Sequence, residues 1–192
     1  EVTLYNLYET LTKINEDGSV SPLLAESWQA SADLKTYTFK LRKGVKFHNG
    51  EPFDSAAVKF SYERNAAPTS TNKDKSLFQA FEKVEAPDAD TIVVMLKYGE
   101  PNLPFLLGQA SGSIVEPKSA PTNVTQPVGT GPYQLGAWAK GSSMTLTKWA
   151  DYRNAAAIKL SKVTIRFISD PAAQTAALLS GDVDAFPRVA AQ

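Results

Sequence analysis

The stretch PLLAESWQASADLKTYTFKLRKGVKFHNGEPFDSAAVKFSY, residues 22–62, decides the fold because its local signals agree with one another. Within Thr36–Arg42 apolar and polar side chains alternate, which predicts a strand with one buried face. Glu26–Ala30 predicts a second strand, and the short polar link between the two is typical of a hairpin. The stretch therefore opens with two antiparallel strands.

The second half of this stretch predicts a tight turn and a capped helix. Asn49 and Gly50 both tolerate positive φ, so the chain can reverse there. Asp54 or Ser55 can cap the helix that follows. Its predicted apolar face consists of Ala57, Val58, Phe60 and Tyr62.

Two further hairpins are predicted downstream of this helix. The first joins Leu77–Ala86 to Thr91–Lys97, of which the second segment is dense in β-branched residues. The other joins Tyr133–Ala139 to Ser143–Trp149 around a glycine. Asn65–Ser76 is polar and rich in turn-forming residues, which indicates a surface loop.

The last part of the chain predicts a strand, a helix and another strand. Apolar side chains alternate over residues 163–167, and Asp170 can cap a helix that begins with a proline. Gly181 ends this helix, and Val183–Phe186 is predicted to return as a strand. Such a unit predicts a parallel strand pair with a right-handed crossover.

The composition is that of an ordinary soluble globular protein. The chain has 192 residues, enough for one large or two small domains, with 43% apolar and 21% charged residues. Its 20 basic and 20 acidic residues cancel, which argues against nucleic-acid binding. Cysteine is absent, so disulfides and thiolate chemistry are excluded.

Four segments, taken in order, resemble the extracellular solute-binding proteins of family 5, which serve peptide and nickel ABC importers. They are LYETL (residues 7–11), TYTFKLRKGVKFHNGEPF (36–53), VGTGPYQL (128–135) and the run from Trp149 to Phe186. The resemblance covers nearly the whole chain. Two positions depart from the family pattern: Arg153 stands where a tryptophan is usual, and Ala57 where an acidic residue is common.

The resemblance implies an α/β fold of the periplasmic-binding-protein type II, with a mixed sheet and a hairpin-rich subdomain. Residues 1–11 and 116–192 would form part of the first-lobe sheet, and residues 12–115 an inserted subdomain of the same lobe. In the family a strand precedes this segment and a second lobe follows it. We therefore expect a one-lobe fragment, and an export leader that has been removed or left out.

The resemblance also implies a function without catalysis. Two lobes would close over a di- or oligopeptide and present it to an ABC permease in the membrane. A nickel complex, haem or an oligosaccharide is an alternative ligand within the family. No cofactor, metal or nucleic-acid partner is implied, and the full-length protein is expected to be a monomer, periplasmic or lipid-anchored at the outer face of the cytoplasmic membrane.

The candidate ligand-binding residues follow from the same resemblance, since they fall in segments that line the first-lobe face of the cleft. Tyr8 would pack against the ligand, and Glu9 would bind a cationic or hydrogen-bonding group. Limited contact is also expected from the turn at Thr130. The remaining polar contacts are Gln109, Ser111 and Ser113.

Three motifs suggest other chemistry. His48 is the only histidine and is interpreted as part of a turn, because a lone histidine makes no metal or nucleophile site. Gly129 and Gly131 suggest a phosphate loop, but a dinucleotide motif needs another glycine where Gln134 stands. We interpret them as a backbone turn that needs unusual φ. The three tryptophans, Trp28, Trp138 and Trp149, are predicted to be core residues.

Two alternatives belong to other functional classes. The acidic pair Asp182 and Asp184 would share one face of a strand, and we interpret it as a strand-edge or hinge feature. The alternative is a small hydrolase built on Asp182, Asp184 or His48. The other alternative is a structural or interaction module that has kept the lobe and lost transport.

Overall fold

The computed structural model describes residues 2–186 and confirms an α/β architecture rich in antiparallel hairpins. In that part of the chain nine strands form three antiparallel sheets. The strands are β1 (Thr12–Ile14), β2 (Val20–Pro22), β3 (Ala25–Ala30), β4 (Thr36–Leu41), β5 (Phe81–Asp88), β6 (Thr91–Leu96), β7 (Tyr133–Ala139), β8 (Ser143–Lys148) and β9 (Lys162–Arg166). The α-helices are α1 (Ser55–Ala66), α2 (Lys75–Gln79), α3 (Leu103–Leu107) and α4 (Pro171–Leu179).

The largest sheet has the order β3-β4-β6-β5, with β4 in its interior. The alternation in β4 is confirmed, because Tyr37, Phe39 and Leu41 are all buried. After β4 the chain reverses at Gly50, whose φ is +85°. Asp54 then caps α1, its carboxylate accepting a hydrogen bond from the Ala57 N–H at 3.1 Å.

The predicted hairpin strand at Leu77–Ala86 is only partly correct. Lys75–Gln79 is a short helix, and the strand begins at Phe81. A strand would direct Phe78 and Phe81 to opposite faces. The helical turn instead brings both rings against Tyr62, with Phe78 and Phe81 centroids 5.4 Å apart.

The predicted strand at Val183–Phe186, and with it the parallel crossover, is wrong. Residues 183–186 form no strand, and among the described residues β9 pairs with β8 alone, in antiparallel register. Gly181 turns the chain with a φ of +78°. The N–H of Val183 then donates to the Ala177 carbonyl at 3.2 Å, so the chain folds back on α4 instead of extending beside β9.

Most of the buried hydrophobic residues fall into two clusters. The larger one contains the buried face of the four-stranded sheet, α1 and α3, and extends from Leu11 to Ile114. The smaller one gathers Leu7, Tyr133, Met144 and Leu146 beneath the β7-β8-β9 sheet. The division of the lobe into residues 12–115 and its two flanks stays a prediction. Within residues 2–186, no helix has the length and apolarity needed to cross a membrane.

Candidate functional site

The N-terminal segment passes from one hydrophobic cluster to the other within a few residues. Leu7 belongs to the smaller cluster and Leu11 to the larger one. Glu9 lies between them and is 1% exposed. A carboxylate in such a position needs partners, because an unpaired buried charge is strongly destabilising.

Arg153 is the main partner of Glu9. Its two terminal nitrogens donate to the two carboxylate oxygens at 2.6 and 2.7 Å. Tyr152 donates a third hydrogen bond at 3.0 Å and Thr130 a fourth at 2.9 Å. The carboxylate is therefore fully engaged by the protein itself.

The electrostatics follow from this burial. Burial raises the pKa of the Tyr152 phenol to about 12, and the adjacent Glu9 charge acts in the same direction. Burial disfavours the charged form of Arg153, but the hydrogen bonds and charge of Glu9 outweigh that effect and raise its pKa. Both groups are held in the protonated form that donates to Glu9.

Gly129 and Gly131 form a turn that lies against the N-terminal segment. A Cβ atom on Gly129 would stand 2.0 Å from the Leu7 carbonyl oxygen, and one on Gly131 would stand 2.3 Å from that of Asn6. Neither glycine has positive φ, so the predicted need for unusual φ is wrong. The glycines are required for close approach of two backbones. A strand follows the turn, as predicted.

His48, in the segment between β4 and α1, binds this glycine turn. Its Nε2 donates to the Gly131 carbonyl at 2.9 Å, and the Gly129 N–H donates to Nδ1 at 3.3 Å. Burial lowers the pKa of His48, so the ring is held neutral with its proton on Nε2. The ring also meets Trp149 edge-on, with centroids 4.9 Å apart.

The structure does not bring together the residues proposed for the alternative hydrolase, Asp182, Asp184 and His48. Asp182 and Asp184 are exposed and line a groove of about 1280 Å³ along β9. His48 does not line this groove, and both of its ring nitrogens bind the glycine turn. Among residues 2–186, no three histidine or carboxylate side chains lie close enough together to hold a metal ion.

Ser111 lines a second recess, of about 510 Å³, at the end of α1. The Ser111 carbonyl accepts hydrogen bonds from the amides of Asn65 and Asn72, at 2.9 and 3.3 Å. Its hydroxyl oxygen is buried and has no partner among the described residues. Arg64 also lines the recess and is exposed. Lys73 and Asp74 line the recess as well, so it combines two positive charges with one negative charge and has a buried, unpartnered hydroxyl in its wall.

The other predicted ligand residues do not line this recess. Tyr8 is half-buried; burial raises the pKa of its phenol to about 12, against the opposing charge of Arg64. Gln109 and Ser113 are half-buried on either side of the recess-lining residues 110 and 111. Thr130, like Glu9, is buried and hydrogen-bonded. Contact of these residues with a ligand stays a prediction.

Sequence reasoning missed Arg153 and Tyr152 as members of the Glu9 network. No periodicity marks them, and Arg153 stands out only as a departure from the family pattern. The prediction for Trp138 was wrong, since it is 37% exposed with the Lys140 amine 5.5 Å from its ring centroid. Trp149 is buried and Trp28 partly buried against the larger cluster, as predicted.

Comparison with known proteins places this geometry in a family. The glutathione-binding protein GsiB of Escherichia coli K12 is 32% identical over 187 residues, covering 95% of this chain and 36% of that protein. AgaA from A. tumefaciens R10, solved with agropinic acid, superposes with a TM-score of 0.86 at 33% identity, covering 93% of this chain and 37% of the other. Haemophilus influenzae OppA, solved with the peptide RPPGFSPFR, gives a TM-score of 0.85 at 25% identity, covering 93% and 39%.

The chain spans about 36% of the length of the curated relatives that it matches. The type II periplasmic-binding-protein fold expected from the sequence is confirmed by these superpositions. The family model described as bacterial extracellular solute-binding proteins, family 5, middle region, matches residues 19–192. The chain therefore belongs to the family 5 bacterial extracellular solute-binding proteins.

Proposed function

We propose that this chain is one lobe of the substrate-binding component of an ABC importer, which captures di- or oligopeptides and delivers them to a membrane permease. Family membership is the observation that carries the proposal. The peptide class is favoured because similar proteins include glutathione-binding GsiB and peptide-bound OppA. The component works without catalysis, as a monomer in the periplasm or anchored at the outer face of the cytoplasmic membrane.

The lobe supplies one wall of a site that closes on its ligand. In this wall Tyr8 packs against the ligand, and Gln109, Ser111 and Ser113 supply polar contacts. The exposed guanidinium of Arg64, at the recess beside Ser111, suits a ligand carboxylate. Glu9 and Thr130 are buried and hydrogen-bonded to each other, so they contribute to the shape of this wall and not through direct polar contacts.

The test is calorimetry on the full-length gene product and on the 192-residue chain, using glutathione, the peptide RPPGFSPFR and agropinic acid as probes. We expect the full-length protein to bind a peptide probe, and the isolated chain to bind it roughly 100-fold more weakly or not at all. Half of the desolvated pocket would be missing from the chain. Binding of agropinic acid alone would overturn the peptide class, and tight binding by the isolated chain would overturn closure by two lobes.

A variant pair tests the recess. Arg64→Gln should weaken binding of the peptide probe by about tenfold, which is the range for loss of a charge-assisted hydrogen bond. The matched control is Lys59→Gln on the same helix, where Lys59 makes only an exposed pair with Glu63. If the two variants bind the peptide probe with equal affinity, Arg64 does not contact the ligand.

A further inference from the structure

We propose that Arg153 is a positioning residue of the ligand wall, and that its ion pair with Glu9 holds the adjacent Tyr8 in place. The consequence for ligand binding rests on the proposed function. The consequence for the position of the Tyr8 ring rests only on contacts within the described chain. The two can therefore be tested separately.

Glu9 is held through both its backbone and its side chain. Its carbonyl accepts a hydrogen bond from the Ile114 N–H at 2.9 Å, on the side of the larger cluster. Its carboxylate binds Thr130 and Arg153, which are 121 and 144 positions further along the chain. Glu9 therefore cannot shift without breaking either its backbone hydrogen bond or its side-chain hydrogen bonds.

Tyr8 shares these constraints. Its carbonyl accepts a hydrogen bond from the Tyr5 N–H at 2.8 Å. Its ring lies on the backbone of Gly129, where an added Cβ would be 2.9 Å from Cδ1 of the ring. The next residue, Thr130, donates to Glu9. The contacts thus form a closed loop that runs from Tyr8 to Gly129 and from Thr130 to Glu9. Arg153 is not part of this loop but binds one of its members, Glu9.

The guanidinium suits this task better than another cation would. Two parallel hydrogen bonds fix the orientation of the carboxylate, whereas a lysine ammonium acts as a point charge. The Cζ atom of Arg153 lies 4.8 Å from the centroid of the Tyr152 ring, which restrains the guanidinium in turn. The side chains of Arg153 and Glu9 are only 23% and 2% exposed, so water cannot readily replace the pair.

The first measurement needs no ligand. The full-length gene product is labelled with 3-fluorotyrosine, and the Tyr8 resonance is assigned by its loss in Tyr8→Phe. We expect Arg153→Lys to shift or broaden this resonance. Lys43→Met removes an exposed pair with Asp90 and should leave the resonance unchanged. An unchanged Tyr8 resonance in Arg153→Lys would overturn the proposal.

A second variant guards against misfolding. Glu9→Gln combined with Arg153→Met removes both charges, so no unpaired carboxylate stays buried. We expect this protein to fold and to show the displaced Tyr8 resonance as well. If the double variant folds and its Tyr8 resonance stays at the wild-type position, the proposal is also overturned.

The second measurement separates positioning from general stability. Arg153→Lys should lower the affinity for the bound peptide probe about tenfold when Tyr8 is present, a usual size for coupled residues. In a Tyr8→Ala background the same substitution should change affinity by less than about twofold. Equal losses in both backgrounds would show that Arg153 affects binding independently of Tyr8, and would overturn its role in positioning Tyr8. If no probe binds the wild-type protein, the proposed function fails, while the fluorine resonance still decides the position of Tyr8.

Discussion

Individual polar residues in this chain bind segments that are remote in sequence. Glu9 and Arg153 are 144 positions apart, and His48 and Gly131 are 83 apart. Both bonds join the N-terminal quarter of the chain to residues beyond position 130. The contact made by His48 depends on the protonation state of its ring, because both ring nitrogens are hydrogen-bonded to the glycine turn.

His48 makes this dependence testable. Burial lowers its pKa below the ordinary value of 6.5, so the unfolded chain binds the proton more readily than the folded chain. The contribution of His48 is thus constant above that value, and the free energy of unfolding falls as the pH drops below it. Protonation would also place an N–H on Nδ1, facing the Gly129 N–H.

Urea denaturation between pH 8 and pH 5 checks this expectation, with His48→Asn as the control that cannot titrate in this range. The wild-type protein should lose more stability than the variant as the pH falls from about 6.5. Parallel losses in the two proteins would show that carboxylates alone account for the acid sensitivity.

At the scale of single elements, local residues determine where the helices begin. Asp54 and Asp170 each accept a hydrogen bond from the third residue beyond, at 3.1 and 2.7 Å. Asp74 occupies the same position before α2, yet its side chain makes no capping bond. The chain thus contains a matched pair of aspartates, Asp54 with a cap and Asp74 without.

This pair predicts a difference in stability. Asp54→Ala should lower the free energy of unfolding by about 1 kcal/mol, because the first turn of α1 loses a hydrogen-bond acceptor. Asp74→Ala should change it by less than about 0.5 kcal/mol. Denaturant titrations of both variants measure the difference, and equal losses would contradict the assignment of Asp54 as the cap.

Over the whole molecule, apolar exposure is concentrated towards the C-terminal part of the described chain. Leu160, Phe167 and Leu179 are 61%, 43% and 83% exposed, and they lie on or near β9 and α4. The larger cluster, by contrast, encloses its aromatic residues almost completely. The described chain is therefore well packed around the four-stranded sheet and open beside β9.

The proposed closure of two lobes predicts a change of shape on binding. A peptide probe that binds the full-length gene product should lower its radius of gyration, because hinge closure brings the lobes together. The 192-residue chain should show no such change at the same probe concentration. Small-angle X-ray scattering with and without probe checks both statements. An unchanged radius in a saturated full-length protein would contradict closure.

The sequence by itself determined the elements whose causes lie within a few residues. The alternation in Thr36–Leu41 and the caps at Asp54 and Asp170 were predicted correctly, because side-chain period and capping act locally. Four ordered motifs also identified the family, since each motif is a continuous run of residues that can be recognised without knowing what it contacts.

Only the tertiary structure decided which distant residues meet. Arg153 was visible in the sequence as a mismatch, yet its partner Glu9 lies at the other end of the chain. Gly129 and Gly131 were recognised as a turn for the wrong reason, since their need for space arises from the Asn6 and Leu7 carbonyls. The strand predicted at Val183–Phe186 failed because a local pattern does not specify a pairing partner. Contacts across more than a hundred residues are fixed by packing, which local periodicity does not record.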